Sequence, residues 1–453
     1  MTNLKYTPEE PIAAIATALA PAALGIVRCS GKNCIELFSK IFSRPKALLE
    51  AEGNTIVYGW ITGIDEVLVS VFRSPKSFTG EDMIEISCHG GVHVVQSIYN
   101  LLLENGFRAA EKGEFTFRAY INGKADLTKA EAVREIIDSK TDESQNRALG
   151  RLAGNLYETI DGVKKHIIDT LAAIEVEIEY PEDEETIADS FDSSELKKAE
   201  EILEQLALSW KSEKIYQDGA RVVLCGKTNA GKSSLFNALL KEDRAIVSDI
   251  EGTTRDFIES WIDFSGIPAR LFDTAGLRET EDVIEAVGVE RTRDLSEEAD
   301  LILYLVDSKA GLTEDDKDFI KSHTGGKIPL ILVWNKCDTA GKTDSEVFLV
   351  PQVNISAKKG TGLGELSFLV KKILSVSEKS ERSGTGLGSE RQKVSVEKAL
   401  ESVRHALSLT EDYALDAVVQ DLEDSLDALG EVTGDVTPED VLDSIFSHFC
   451  VGK

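Results

Sequence analysis

The stretch GKTNAGKSS, beginning at Gly226, constrains this chain more than any other. It follows the apolar run RVVLC and precedes SSLFNALL, so the local order is strand, glycine-rich loop, helix. In that setting the pattern G-x-x-x-x-G-K-S cradles phosphates. Backbone N–H groups of the loop and the helix N-terminus point at the anion, and the aligned peptide dipoles favour negative charge there. Lys232 is spaced to reach the β- and γ-phosphates, and Ser233 to ligate Mg²⁺. Such a loop needs a sheet to hold it. Residues 217 to about 378 offer one in the runs ARVVLCG, ARLFDTAG, ADLILYLVD, IPLILVWNKCD and FLVPQVNISA. Continuous apolar runs alternating with helical stretches predict a mostly parallel sheet covered on both faces.

Further short elements follow in order, each at the end of a run or on a loop. The phosphate loop contributes Asn229, Ala230, Gly231, Lys232, Ser233 and Ser234. The SDIEGTT segment contributes Ser248, Asp249, Ile250, Glu251, Gly252, Thr253 and Thr254, with Thr254 placed to close on Mg²⁺ and the γ-phosphate. In DTAG (Asp273, Thr274, Ala275 and Gly276), Asp273 can hold a Mg²⁺-bound water and the Gly276 N–H can reach the γ-phosphate. NKCD supplies Asn335, Lys336 and Asp338. The Asp338 carboxylate accepts two hydrogen bonds from the N1–H and N2 amino group of guanine; adenine cannot offer that pair, so the base is guanine. Asn335 and Lys336 brace the base and the phosphate loop. In ISAKKG, the backbone N–H groups of Ser356, Ala357 and Lys358 face the guanine O6.

Hydrolysis needs a group that positions water. Ras-like sites use a Gln directly after the DxxG motif, and here that position is Leu277, which cannot do so. The following segment, LRETEDVIEAVGVERT, is rich in carboxylates, any of which could orient water. Asn229 puts a neutral amide oxygen beside the phosphates. That suits a monovalent cation able to supply the charge an arginine finger supplies elsewhere, and equally suits a tight turn.

The flanks read differently. Residues 1 to about 120 carry short period-two runs bounded by glycines, which predicts a strand-rich α+β domain. Residues 125–214 and 391–446 place apolar residues three and four apart, which predicts amphipathic helices packed together as one discontinuous helical domain with the α/β domain inserted. Between the α/β domain and the second helical block, SERSGTGLGSE is expected to be a flexible connector or exposed loop. With 50 Lys and Arg against 80 Asp and Glu, the net charge of -30 predicts weak binding to nucleic acid unless a partner supplies positive charge. No apolar run of about 18 residues is present to span a membrane, the acidic N-terminus is unlike a signal or transit peptide, and the six cysteines have no zinc or CxxC spacing. A cytoplasmic protein with reduced thiols is the expectation. Cys450, four residues from the end, is followed by Gly452 and Lys453, which do not fit a prenylation box.

Taken together, SFTGEDMIEISCHGG, GEFTFRAYINGKADLTKAEAV, GKTNAGKSSLFNAL, DIEGTTRD, DTAGLRET and the terminal CVGK resemble the MnmE (TrmE) family of tRNA-modification GTPases over essentially the whole chain. The resemblance implies a multidomain α/β protein: a tetrahydrofolate-binding, dimerising α+β domain (1–122), a discontinuous helical domain (123–215 and 380–453), and an inserted Ras-like G domain (216–379). It implies GTP hydrolysis in a homodimer that works with MnmG (GidA), an FAD-containing partner. The two would add an aminomethyl or carboxymethylaminomethyl group at C5 of the wobble uridine of certain tRNAs, with a folate one-carbon unit, and tRNA would bind through the complex. By motif position it implies K⁺ held by Asn229, Ser248, Ile250 and Thr253, with activation by G-domain dimerisation. Mg²⁺ would be held by Ser233 and Thr254, and Glu285 would organise the attacking water. The folate, a 5-formyl or methylene derivative, would meet Arg28, Glu85, Lys124 and Lys453, with Cys450 as a functional thiol. The chain departs from the family pattern in ALAPAALGIVR, which has fewer glycines before Arg28, and in SERQK, which keeps Arg391 but lacks a histidine. The competing reading is a Ras-like regulatory switch in ribosome or RNA metabolism, which tight GDP retention and slow turnover would favour.

Overall fold

The computed structural model describes residues 10–179, 193–241, 259–273, 299–339, 349–375, 385–409 and 415–453. They fall into two compact units: one drawn from 1–134, 157–200 and 394–453, the other from 135–156 and 201–393.

In the first unit, six strands form one sheet: β1 (Ile12–Ile15), β2 (Leu24–Ser30), β3 (Thr55–Ile61), β4 (Asp65–Phe72), β5 (Met83–His89) and β6 (Arg108–Ala109). Their order is β3-β4-β5-β2-β1-β6, antiparallel except for the β1–β6 pair. Because side chains alternate across a strand, Val27, Cys29, Val57, Val67, Val69, Val71, Ile84 and Ile86 share one face. There they are buried in a cluster with Ile35 and Phe38 of helix Cys34–Ser39 and Ile98 and Leu102 of helix Val92–Glu104. The opposite face carries polar and aromatic residues, Arg28 and Glu85 among them. The expected α+β domain is therefore present, with its strands where the period-two runs lie.

Amphipathic spacing explains the helices of this unit. In helix Leu415–Thr433, Val418, Leu422, Ser425, Ala428, Leu429 and Val432 form one buried stripe. Helix Glu439–Ser447 brings Leu442 and Phe446 against Phe117, Leu127 and Ala130. Phe446 meets Phe117 edge-on at 5.4 Å between centroids, the arrangement that ring quadrupoles favour.

The second unit holds β7 (Ala220–Cys225), β8 (Glu259–Phe264), β9 (Ile267–Asp273), β10 (Leu301–Asp307), β11 (Leu330–Asn335) and β12 (Gln352–Asn354). The order is β12-β11-β10-β7-β9-β8, parallel except for β8 against β9. Alternate residues of β7, β10 and β11 enter two separate buried clusters, one on each face: Leu224, Leu303 and Val333 on one, Val223, Ile302 and Leu332 on the other. That two-sided burial is why these runs are continuously apolar.

The Ser/Gly-rich stretch overturns an expectation. Residues 380–384 lie outside the described set, but Gly386, Leu387 and Gly388 are buried rather than exposed, Leu387 completely. Arg151 donates to the Gly386 carbonyl (3.2 Å) and Gln217 to the Gly388 carbonyl (2.7 Å). A Cβ on Gly386 would lie 2.5 Å from Glu213 Oε1, and one on Gly388 2.2 Å from Glu135 Oε1. The glycines here permit close packing on a buried ion network, not flexibility.

Candidate nucleotide site and a second polar site

The loop after β7 is shaped by glycine. Gly226 has φ 127° and a Cβ there would meet the Leu305 carbonyl at 2.2 Å; Gly231 has φ 97° and a Cβ would meet Asn335 Nδ2 at 2.2 Å. Asn229 also takes a left-handed conformation, φ 66°, and is exposed. Lys232 opens helix Lys232–Lys241, and its ammonium donates to the carbonyls of Gly226 (2.6 Å) and Lys227 (3.0 Å), which pins it inside the loop. Ser233 and Ser234 are exposed in that helix's first turn, where N–H groups lack intrahelical partners.

Two residues of the NKCD motif brace the same loop. Buried Asn335, at the end of β11, donates to the Ala230 carbonyl (2.9 Å) and accepts from the Lys336 and Ala357 N–H groups. Lys336 donates to the Asn229 carbonyl (2.8 Å) and to Asp307 (2.7 Å). Asp338 accepts from the Ser356 hydroxyl at 2.8 Å, which with Lys359 3.7 Å away holds its carboxyl below the usual carboxylate range. It is therefore an ionised acceptor at neutral pH. Ser356 and Ala357 are buried, and Lys358 follows them in the turn that ends at Gly360. The main chain of Asp273 closes β9 opposite Leu224. Ser248 to Thr254, Thr274 to Gly276 and Glu285 lie outside the described residues.

A second polar site lies on the other face of the first unit's sheet, beside a small buried cluster of Ile12, Ala14, Met83, Ala110 and Phe115. Arg28 and Glu85 are cross-strand partners of β2 and β5 and pair at 2.6 Å, with side chains 12% and 28% exposed. Arg28 also donates to the Gly452 carbonyl at 2.9 Å, and its guanidinium lies 5.1 Å from the Phe115 ring centre and 5.7 Å from that of Phe78. Lys453 accepts from the Phe115 N–H through its main-chain oxygen at 3.1 Å. Arg28, Glu85 and Lys453 thus come together. Lys124 instead donates to the Pro75 carbonyl (3.0 Å), on the loop that also carries Phe78. Cys450 is exposed, and its carbonyl accepts from the Gly113 N–H. The ALAPAALG turn is tied to Gly90 by two backbone hydrogen bonds, Ala22 N–H to the Gly90 carbonyl and Gly90 N–H to the Ala23 carbonyl.

Family models match two adjoining stretches. Residues 11–124 match the GTP-binding protein TrmE N-terminus, and residues 127–450 match the MnmE helical domain. A Treponema denticola protein named tRNA modification GTPase MnmE is 53% identical, with 99% of each chain covered. The chain belongs to the MnmE family. Relatives of the same name from Treponema pallidum (strain Nichols) and Carboxydothermus hydrogenoformans are 41% and 42% identical, covering 99% and 98% of this chain and 99% and 100% of theirs.

Several contacts of this MnmE-family chain involve residues to which the sequence motifs assign no role. Asp307, at the end of β10, holds Lys336 and is itself driven below the usual carboxylate range by that ammonium. Lys227, inside the phosphate loop, reaches Thr313 Oγ1 (2.5 Å), the N-cap of helix Glu314–His323. Phe78 and Phe115 flank Arg28 without belonging to any charged motif. Only Asp307 has a visible sequence signal, as an acidic residue closing an apolar strand.

Proposed function

We propose that this chain is a GTP-hydrolysing enzyme of tRNA modification, its second unit reading guanine and its first binding a folate. The observation that carries the reading is the convergence of Lys232, Asn335 and Lys336 on one loop, with the Asp338–Ser356 pair joined to them through the Ala357 N–H bond to Asn335. Asp338, ionised and oriented by Ser356, has the acceptor geometry for the N1–H and N2 amino edge of guanine. The Lys232 ammonium, pinned inside the phosphate loop, suits the phosphates, and the exposed Ser233 hydroxyl suits Mg²⁺, with Thr254 as the second ligand. The exposed, left-handed Asn229 suits K⁺, with Ser248, Ile250 and Thr253 completing that set, and Glu285 organises the attacking water.

In the first unit, the Glu85 carboxylate suits the amino-pyrimidine edge of a folate, the exposed Phe78 ring its flat heterocycle, and Arg28, Lys124 and Lys453 its anionic tail. On the same sheet face, Ile56, Tyr58, Trp60 and Leu68 are each about half exposed or more, an apolar surface that supports a homodimer. MnmG is the partner of this reading: it would contribute the positive charge that a chain of net charge -30 lacks for tRNA, and the product is a modified wobble uridine.

The test is turnover of GTP, with ATP as control, in KCl and in NaCl at matched ionic strength. Selective K⁺ stimulation of GTP hydrolysis is expected. Equal, slow rates in both salts would refute K⁺ activation through Asn229, and equal use of ATP would refute guanine reading by Asp338.

A further inference from the structure

The C-terminal tail lies across the sheet that carries the Arg28–Glu85 pair, held there by attachments at named atoms. Lys453 accepts from the Phe115 N–H, and Cys450 from the Gly113 N–H at 3.5 Å. Both donors belong to the start of helix Glu114–Ile121, whose N-cap Gly113 has no side chain to serve it. The tail therefore supplies the acceptors that this helix end lacks. Gly452, φ 91°, lets the tail lie flat on β1: a Cβ there would stand 3.0 Å from the Ile15 carbonyl and 3.5 Å from Ala14 Cβ. Ala14 is the β1 partner of Arg28. The Arg28 bond to the Gly452 carbonyl is a charge-assisted attachment.

That bond depends on Glu85. The guanidinium is held by the 2.6 Å pair from Nη2 to Glu85 on one side and by the Phe115 face on another, and those two restraints aim Nη1 at Gly452. Glu85 is also the more exposed member of the pair, open to a donor arriving from solvent.

We propose that Arg28 is a positioning residue that clamps the C-terminal tail, and that Glu85 is shared between that clamp and the ligand. A ligand edge that donates to Glu85 takes the carboxylate from Arg28, the guanidinium loses its aim, and the tail comes off the helix end. Occupancy of the sheet site is thereby converted into movement of the segment bearing Cys450. The ligand part of this inference rests on the folate reading above; the clamp itself does not.

The test reads amide exchange at Phe115, resolved by fragmentation mass spectrometry, in the full-length protein. Wild type, Arg28→Gln, Arg28→Lys and Glu85→Gln are compared, each with and without saturating 5-formyltetrahydrofolate, whose binding is measured separately by equilibrium dialysis. Losing a charge-assisted hydrogen bond should speed local opening by roughly tenfold or more. Arg28→Gln and Glu85→Gln should each accelerate Phe115 exchange without ligand, and Arg28→Lys should recover part of the protection. Bound folate should accelerate exchange in wild type to the level of Glu85→Gln. Unchanged exchange in Arg28→Gln or Glu85→Gln overturns the clamp. Folate that binds without accelerating exchange overturns the sharing of Glu85. Absence of folate binding refutes the folate reading and the folate-driven release, while the ligand-free arms still decide the clamp.

Discussion

Removing one carboxylate, that of Glu213, should destabilise the second unit by several kcal/mol. Glu213 is 2% exposed and accepts from Arg147 Nη1 at 2.5 Å and Arg151 Nη1 at 3.0 Å, both guanidiniums being equally buried. The two are not equally provided for. Arg151 keeps Glu135 at 2.6 Å and the Gly386 carbonyl. Arg147 has no hydrogen-bond partner at Nε or Nη2 and lies 3.9 Å over the Tyr216 ring, so Glu213 is its carboxylate partner. In Glu213→Ala the Arg147 charge stays buried against an aromatic face alone. Stranding a buried charge costs about 3–5 kcal/mol, and the Tyr216 contact, present before and after the change, does not offset it. For a unit of this size that lowers its melting temperature by about 6–20 °C. Differential scanning calorimetry of the full-length protein measures it. The double variant Arg147→Met with Glu213→Leu should recover most of the loss, because it removes the stranded charge as well as its partner. A Glu213→Ala protein melting within about 2 °C of wild type would refute the reasoning.

Three other outcomes are expected. On the proposed guanine reading, Asp338→Asn replaces an acceptor with an amide that can also donate, so GTP should bind roughly 10- to 100-fold more weakly while XTP gains, measured by competition with a fluorescent nucleotide. Cys450→Ser should abolish tRNA modification and spare GTP hydrolysis; normal modification, read by mass spectrometry of digested tRNA, would remove the thiol from the chemistry. Burial pushes the Asp316 carboxyl up, but hydrogen bonds from Tyr304 and Thr313 outweigh it and set the folded value below the ordinary one. Its stabilising contribution is then complete above the unfolded carboxylate pKa and lost as pH falls through the lower folded value. The acid limb of the stability curve below about pH 4 should be shallower in Asp316→Asn, as followed by circular dichroism.

Much of the second unit is legible in its amino-acid sequence. The runs that become β7, β10 and β11 are apolar throughout because both faces are buried, and the motifs ending them fall on the loop edge that gathers Lys232, Asn335 and Asp338. Strand β8 is missing from the apolar runs, although it leaves a signal: Phe264 and Ile267 are joined by Ser265 and Gly266, both at positive φ, a two-residue hairpin turn between ESWIDF and IPARLF. SERSGTGLGSE misleads because its composition is that of a linker; the buried Leu387 is the residue that argues otherwise. Arg28 and Glu85, 57 positions apart, are accessible only through the family resemblance, since their pairing is set by strand order and register. Phe78 and Phe115 are invisible for the same reason: an aromatic residue declares nothing in sequence until its neighbour is known.

The buried course of Gly386 to Gly388 also governs how the protein can be dissected. A fragment ending at Leu374 would retain every strand from β7 to β12. It would nonetheless deprive Arg151 and Gln217 of two carbonyl acceptors and lay bare Glu135 and Glu213 where the glycines had covered them. A nucleotide-binding piece excised at the end of its last sheet helix should therefore melt below the intact unit, and its hydrolysis rate would report on a damaged base. A cut that respects the ion network must carry residues 135–156 and 385–393 with the sheet, from two separate stretches of chain, 135–156 and 201–393.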